Sequence, residues 1–328
     1  MPTPKFLMTI DVEPDSPAWG NITEFRVENI PRLEGLQALC DRYGVKPTYL
    51  TTYAVAVAPD AEKVLAKLAR TGRCEIGAHL HPSETPPMLE RPKPETSIPN
   101  LPADIKEEKY RILHEALATR FGPPTAFRAG RYRLDAPSVG ILESLGFEAD
   151  TSVTPHVSWV LEGGPRWTDA PETPYRLSRQ NPASPGDSGI IEIPVTIRHG
   201  RRTPLEGSRV VNDLFSMPFR SLPRAVSRVL DWVRPVRPDW LRPTYLDGEA
   251  MIALSDRVLA ERPDTTLNMM FHSNELAPGM SPFVRTEADA RRFLDRIERV
   301  CRHLTLLNVE PATLSEAARA MATDSRAS

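Results

Sequence analysis

Disulfide bridges, a membrane span and a strongly charged surface are the first things this chain does not provide for. Its three cysteines, Cys40, Cys74 and Cys301, are widely spaced and odd in number, which suits buried free thiols better than a disulfide framework. Lysine and arginine (41) almost balance aspartate and glutamate (43), for a formal net charge of −2. A surface for nucleic acid or another polyanion is therefore not expected. There is no basic leader followed by an apolar core, and the Phe6–Ile10 run is far too short to cross a bilayer. A cytoplasmic protein with no transmembrane segment is the expectation. Internal repeats and low-complexity tracts are also missing. What is abundant is proline, 34 residues in 328, which points to rigid, ordered loops.

The length and the ordinary share of hydrophobic (40%) and charged (26%) residues suit one large α/β domain or two smaller ones. The pattern favours alternation. Lys5–Val12 reads as a buried strand stopped by Pro14, Asn29–Gly44 as a helix, and Lys46–Thr52 as the next strand. Helix 61–69, strand 74–78, helix 106–121, strand 125–128, helix 137–145 and strand 147–153 follow. After a looser stretch, the alternation returns with helix 247–260, strand 265–271, helix 287–302, strand 304–307 and helix 314–321. The proline-rich stretch 82–102 reads as an ordered loop over one end of the sheet. Within 154–263, residues 190–195 read as a strand, and the basic stretch Leu222–Arg242, with Trp232 and Trp240, as an amphipathic helix. Alternation of this kind argues for a parallel sheet wrapped by helices. The expectation is a single domain over 1–322, interrupted by an insertion at about 154–263 and followed by a frayed tail, 323–328.

Several strand ends carry polar residues that a strand does not need: Asp11 and Glu13, His79 and His81, Arg128, Asp150, and His272. Each alone has a bland reading as a turn carboxylate, a structural histidine, a salt bridge or a helix cap. Together they matter more, because in a parallel barrel these ends converge on one face. Two histidines plus a carboxylate are the ligand set of an open catalytic Zn²⁺ site. A second carboxylate can serve as base toward water, and a separate histidine can protonate a leaving amine.

The residues in order resemble the polysaccharide deacetylase family, the NodB-homology domains of carbohydrate esterase family four. The resemblance rests on Thr9-Ile10-Asp11-Val12-Glu13, Glu75-Ile76-Gly77-Ala78-His79, Phe127-Arg128-Ala129-Gly130-Arg131-Tyr132 and Met269-Met270-Phe271-His272-Ser273. The wording around His81-Pro82 and Asn274-Glu275-Leu276 is similar to a divergent bacterial branch linked to surface-polysaccharide genes. It covers residues 5 to about 150 and returns over 265–309, leaving 154–263 unexplained.

The resemblance implies a distorted (β/α) barrel of about seven strands holding one divalent metal ion, usually Zn²⁺. It implies Asp11 as general base, Glu13 and His79 as ligands, Arg128 as the group that tunes Asp11, and His272 as general acid supported by Asp150. The backbone at Tyr132 is implied for the oxyanion, with Arg131, Asp15 and Glu275 as further candidates for substrate contact. The chain also departs from the pattern. Position 83, where the second ligand histidine would stand, is Ser83, and His81 is taken as its substitute. The alternatives are that Asp15 or water completes the sphere, or that His81 merely lines the pocket. Glu13 replaces an aspartate and lengthens that arm by a methylene. The implied activity is metal-dependent removal of an N-acyl group, most simply acetyl, from an amino sugar; with no secretion signal in the sequence, the expected substrate is a cytoplasmic precursor such as a nucleotide- or lipid-linked sugar. An amidase acting on a non-sugar amide or cyclic imide, and a non-catalytic carbohydrate-binding relative, are the alternatives.

Overall fold

The computed structural model describes residues 3–16, 25–88, 97–199, 209–215 and 238–327. At its centre lies β1 (Lys5–Val12), buried at every residue after Lys5, as expected of a strand covered on both faces. β2 (Thr48–Thr51), β3 (Glu75–Leu80), β4 (Ala126–Ala129), β5 (Ala149–Asp150), β6 (Tyr175–Arg176), β7 (Ile191–Glu192), β8 (Ile197–His199), β9 (Pro238–Trp240), β10 (Thr266–His272) and β11 (Glu310–Pro311) follow. The main sheet runs β10-β1-β2-β3-β4-β5-β7-β6. It is parallel along this path except for β6, which pairs antiparallel with β7.

Past β7 the chain curls back toward β10. Ile193 N–H donates to Asp150 O at 2.8 Å, Val195 N–H to Val153 O at 3.1 Å, and Thr196 N–H to Asn268 O at 3.1 Å. Met270 N–H reaches Leu241 O at 3.2 Å. These bonds close the sheet into the distorted (β/α) barrel expected from the sequence.

The helices are α1 (Leu33–Arg42), α2 (Tyr53–Ala56), α3 (Pro59–Ala69), α4 (Ala103–Phe121), α5 (Ala136–Ser144), α6 (Arg209–Phe215), α7 (Gly248–Glu261), α8 (Glu287–Leu306) and α9 (Leu314–Ala327). The apolar faces of α1, α3, α7 and α8 meet β1 and β10 in one core that includes Phe6, Met8, Ile10, Leu36, Leu65, Met251, Phe271 and Ile297. No helix among the described residues is long and apolar enough to cross a membrane.

Four expectations change. Residues 304–307 are not a strand, because α8 runs to Leu306. Leu304 is buried in helical phase with Phe293, Ile297 and Val300, and the strand comes later, where β11 pairs with Lys5 and Phe6. The strand at 147–153 shrinks to two residues, since the Asp150 carboxylate accepts from Ser152 N–H and turns the chain. The strand at 190–195 likewise shortens to Ile191–Glu192, with Pro194, which has no N–H, inside the remainder. Most of the helix expected over 222–242 lies outside the described residues. Its end is strand β9, paired antiparallel with β8.

Candidate active site

Strand register brings the polar ends together before any side chain is considered. Asp11 on β1 stands opposite His272 on β10, and His79 on β3 stands opposite Arg128 on β4. Ser273 clamps the end of β1 to that of β10: Glu13 N–H donates to Ser273 Oγ at 3.1 Å, and that hydroxyl donates to Glu13 O at 3.3 Å.

Glu13 Oε1, His79 Nε2 and His81 Nε2 form a tight triangle. The carboxylate oxygen is 3.1 Å from His79 and 3.0 Å from His81, and the two nitrogens are 3.1 Å apart. His79 Nδ1 lies 2.9 Å from Arg128 O. A carbonyl only accepts, so this nitrogen carries the hydrogen and Nε2 turns its lone pair toward Glu13. Outer carbonyl, inner lone pair and adjacent carboxylate make the donor set of a divalent cation site. The chemistry of the three residues therefore fits a divalent metal. A second group, Asp11, Glu13 and His272, also brings its potential ligand atoms within 4.8 Å of one another.

Asp11 is buried and its two oxygens are differently employed. Arg128 Nη1 donates to Oδ1, while Oδ2 faces His79 Nε2 at 3.8 Å and His272 Nε2 at 3.7 Å. Arg128, wholly buried, is itself fixed by Thr151 O at 2.9 Å and Thr9 Oγ1 at 2.6 Å. Burial is the largest influence on Asp11 and pushes its pKa up, but Arg128, His79 and His272 outweigh it and hold the carboxyl below its usual range. For Glu13, burial is opposed by the neighbouring His272, His79 and His81 rings, and its pKa falls well below normal. Burial lowers His81, but the bond and charge of Glu13 lift it to about 9. Both carboxyls are thus held toward their ionised form, that of Asp11 chiefly by Arg128.

The remaining sequence candidates are placed as follows. Tyr132 is buried, stacked on Trp159 with ring centroids 5.5 Å apart, and its hydroxyl points to Met270 Sδ at 3.2 Å. Arg131 and Tyr132 both adopt left-handed backbone, φ 54° and 58°, a conformation uncommon outside glycine and held here by its surroundings. The Arg131 side chain is exposed and pairs with Glu162 at 2.6 Å.

Asp15 does not join the cluster. Its oxygens accept from Glu28 N–H at 2.8 Å, Asn29 N–H at 3.0 Å and Asn29 Nδ2 at 2.6 Å, which fixes the turn into α1. Asp150 does not support His272 either. Its carboxylate is bonded to Ser152 and to Glu192 on β7. The carboxylate beside His272 is Glu275, 3.5 Å from Nδ1. Glu275 faces inward: it accepts from His272 N–H at 2.9 Å, Thr244 Oγ1 at 2.7 Å and Arg242 Nη2 at 3.3 Å.

Arg242, Thr244 and Tyr245 are the residues that sequence reasoning missed. Arg242 lies in the stretch read as an amphipathic helix, where one more arginine carries no signal. An arginine followed directly by proline, at Arg242-Pro243, was the available hint that the segment could not be regular helix there.

No family model matches the chain, and no curated protein matches it in sequence. Solved structures do. A provisionally assigned polysaccharide deacetylase from Mycobacterium smegmatis superposes with a TM-score of 0.57 at 16% identity, covering 99% of this chain and 92% of that one. A provisionally assigned glycoside hydrolase/deacetylase from Parabacteroides distasonis gives 0.59 at 10% identity, over 97% and 71% of the two chains. A GH57-type branching enzyme from Pyrococcus horikoshii gives 0.53 at 11% identity, over 96% and 70%. The chain has the NodB-like (β/α) barrel fold of the polysaccharide deacetylases.

Proposed function

We propose that this protein is a metal-dependent hydrolase that removes an N-acyl group, in the simplest case acetyl, from an amino sugar. The observation that carries the proposal is the convergence of Glu13, His79 and His81, with Asp11 Oδ2 standing between His79 and His272. The two deacetylase-assigned neighbours at TM-scores above 0.5 support the coarser reading, deacetylation of a carbohydrate.

Glu13, His79 and His81 would hold the ion, which when bound acidifies water and polarises the acyl oxygen. Zn²⁺ suits this nitrogen-rich set best. The protein's own residues do the rest. Asp11, ionised and with Oδ1 held by Arg128, accepts a proton at Oδ2. The Arg128 charge makes Asp11 a weak base, adequate only toward an acidified water. His272, on the other side of Oδ2, donates to the departing nitrogen, and the fixed backbone at Arg131–Tyr132 is the candidate for stabilising the oxyanion.

The test is metal analysis combined with amine release from a panel of N-acetylated sugars. One equivalent of divalent metal and release from at least one sugar are expected. Asp11→Asn should lower kcat by about 10²–10⁴-fold without loss of the metal. A protein that takes up no metal and releases no amine would end the enzymatic reading.

A further inference from the structure

Two histidines of this site are held by opposite chemistry. His79 Nδ1 faces a carbonyl, which leaves its inner nitrogen bare. His272 Nδ1 faces Arg242 Nη2 at 3.0 Å. A guanidinium can only donate and does not lose its proton in proteins, so Nδ1 of His272 must be the acceptor. His272 also forms a reciprocal capping box with Glu275, whose backbone N–H is directed at the ring. The Glu275 carboxylate lies farther from Nδ1, at 3.5 Å, and is engaged by His272 N–H, Thr244 and Arg242.

Arg242 has little freedom to do otherwise. It is 3% exposed, its Nε donates to Thr244 Oγ1 at 3.0 Å, and its guanidinium lies 4.6 Å over the Tyr245 ring. Leu241, the residue before it, is tied to the barrel on both sides: its N–H donates to Thr196 O at 2.9 Å, and its carbonyl accepts from Met270 N–H at 3.2 Å.

We propose that Arg242 is a positioning residue that holds the His272 ring with its hydrogen on Nε2, the nitrogen facing Asp11, and so makes His272 a hydrogen donor and neither a base nor a metal ligand. A carboxylate at Nδ1 would do the reverse in the neutral ring, drawing the hydrogen to Nδ1 and leaving Nε2 bare. The arginine therefore separates the two candidate metal sets. Glu13, His79 and His81 keep two imidazoles available, whereas the set with Asp11 and His272 offers a nitrogen whose lone pair is replaced by N–H. It also divides the acid–base work, since a nitrogen already carrying hydrogen cannot accept the proton that Asp11 takes. The assignment of donor and base rests on the hydrolase reading above; the position of the hydrogen does not.

The test is long-range ¹H–¹⁵N correlation on the full-length, [¹⁵N]histidine-labelled protein, with and without added Zn²⁺, the His272 signals being assigned by their loss in His272→Gln. A bare Nδ1 and a protonated Nε2 in both states are expected. In Arg242→Met the hydrogen should redistribute toward Nδ1, kcat should fall by about 10–100-fold with KM unchanged, and Zn²⁺ stoichiometry should be retained. Arg242→Lys, which keeps a donor, should restore part of the wild-type spectrum and rate. Since Arg242→Met leaves the buried Glu275 charge without its partner, the pair Arg242→Met/Glu275→Gln is the variant to use if the single one does not fold. A wild-type spectrum with hydrogen on Nδ1, or ring signals unchanged in the Met variants, would overturn the proposal. Absence of any deacetylation, with the wild-type spectrum as expected, would strike the function and leave the role of Arg242 standing.

Discussion

At the scale of single residues, the tightest constraint on the site is exerted by a glycine. A Cβ on Gly130 would lie 2.5 Å from Leu80 O and 3.0 Å from His81 Nδ1. The first atom is backbone and cannot rotate away, so an added methyl must displace the end of β3, which carries His79 and leads directly into His81. Gly130→Ala should cost about 1–3 kcal/mol of stability and weaken Zn²⁺ binding at least tenfold, read by competition with a chromophoric chelator. Unchanged affinity would mean that His81 does not owe its position to this close approach. The same scale shows what could be read from sequence. Asp11, Glu13, His79, Arg128 and His272 were legible because each interrupts or ends an apolar strand. The meaning of Arg242 lies in a contact to His272 across 30 residues, and no local pattern carries that. Asp150 misled for the converse reason: it does end a strand, but its side chain turns to Ser152 and Glu192.

At the scale of elements, two buried ionisable groups show how the segments around the site are held. Lys109 of α4 is fully buried, and its ammonium donates to the carbonyls of Pro82, Thr85 and Pro87, locking the loop that follows His81. Lys109→Met would leave three carbonyls without their donor, at a cost on the order of 3 kcal/mol, and should weaken metal binding with it. Equal denaturation midpoints for variant and wild type would contradict that role.

On β7, Glu192 is buried against Asp150, and burial first, then the Asp150 charge and hydrogen bond, push its pKa well above normal. Asp150 is raised as well, chiefly by burial. An acid whose folded pKa is raised contributes stability at low pH that is lost as pH climbs from the unfolded value toward the folded one. Stability should therefore decline above about pH 4.5, by up to about 1.4 kcal/mol per pH unit for one proton. Glu192→Gln, which keeps an acceptor for Val153 N–H (3.0 Å in the wild type) and supplies a donor to Asp150, should flatten that decline. Parallel pH–stability curves would refute the assignment. The elements themselves were largely legible. The long periodic helices and β1 were found, though helix ends were missed by several residues and α8 runs on through a stretch read as a strand, whereas the two-residue strands β5 and β7 were overestimated, because apolar runs continue past the point where backbone pairing stops.

For the molecule as a whole, the donor triangle joins Glu13, just past the end of β1, to His79 on β3 and His81 just past it, with β2 between the two strands in the sheet. An ion bound there engages groups that come together only in the folded barrel, so its binding energy adds to folding energy. At a free concentration one hundred times Kd, that contribution is about 2.7 kcal/mol. For a chain of this size each kcal/mol moves the thermal midpoint by about 2–4 °C. Chelation should thus lower Tm by roughly 5–10 °C, and Zn²⁺ should restore it in a saturable way. His81→Ala removes one corner of the triangle and should abolish most of the response. His272→Ala should leave it intact, because on the geometry argued above that histidine stands outside the metal set. A wild-type Tm indifferent to chelation, or an equal Zn²⁺ response in His81→Ala, would show that these three side chains do not form the metal centre.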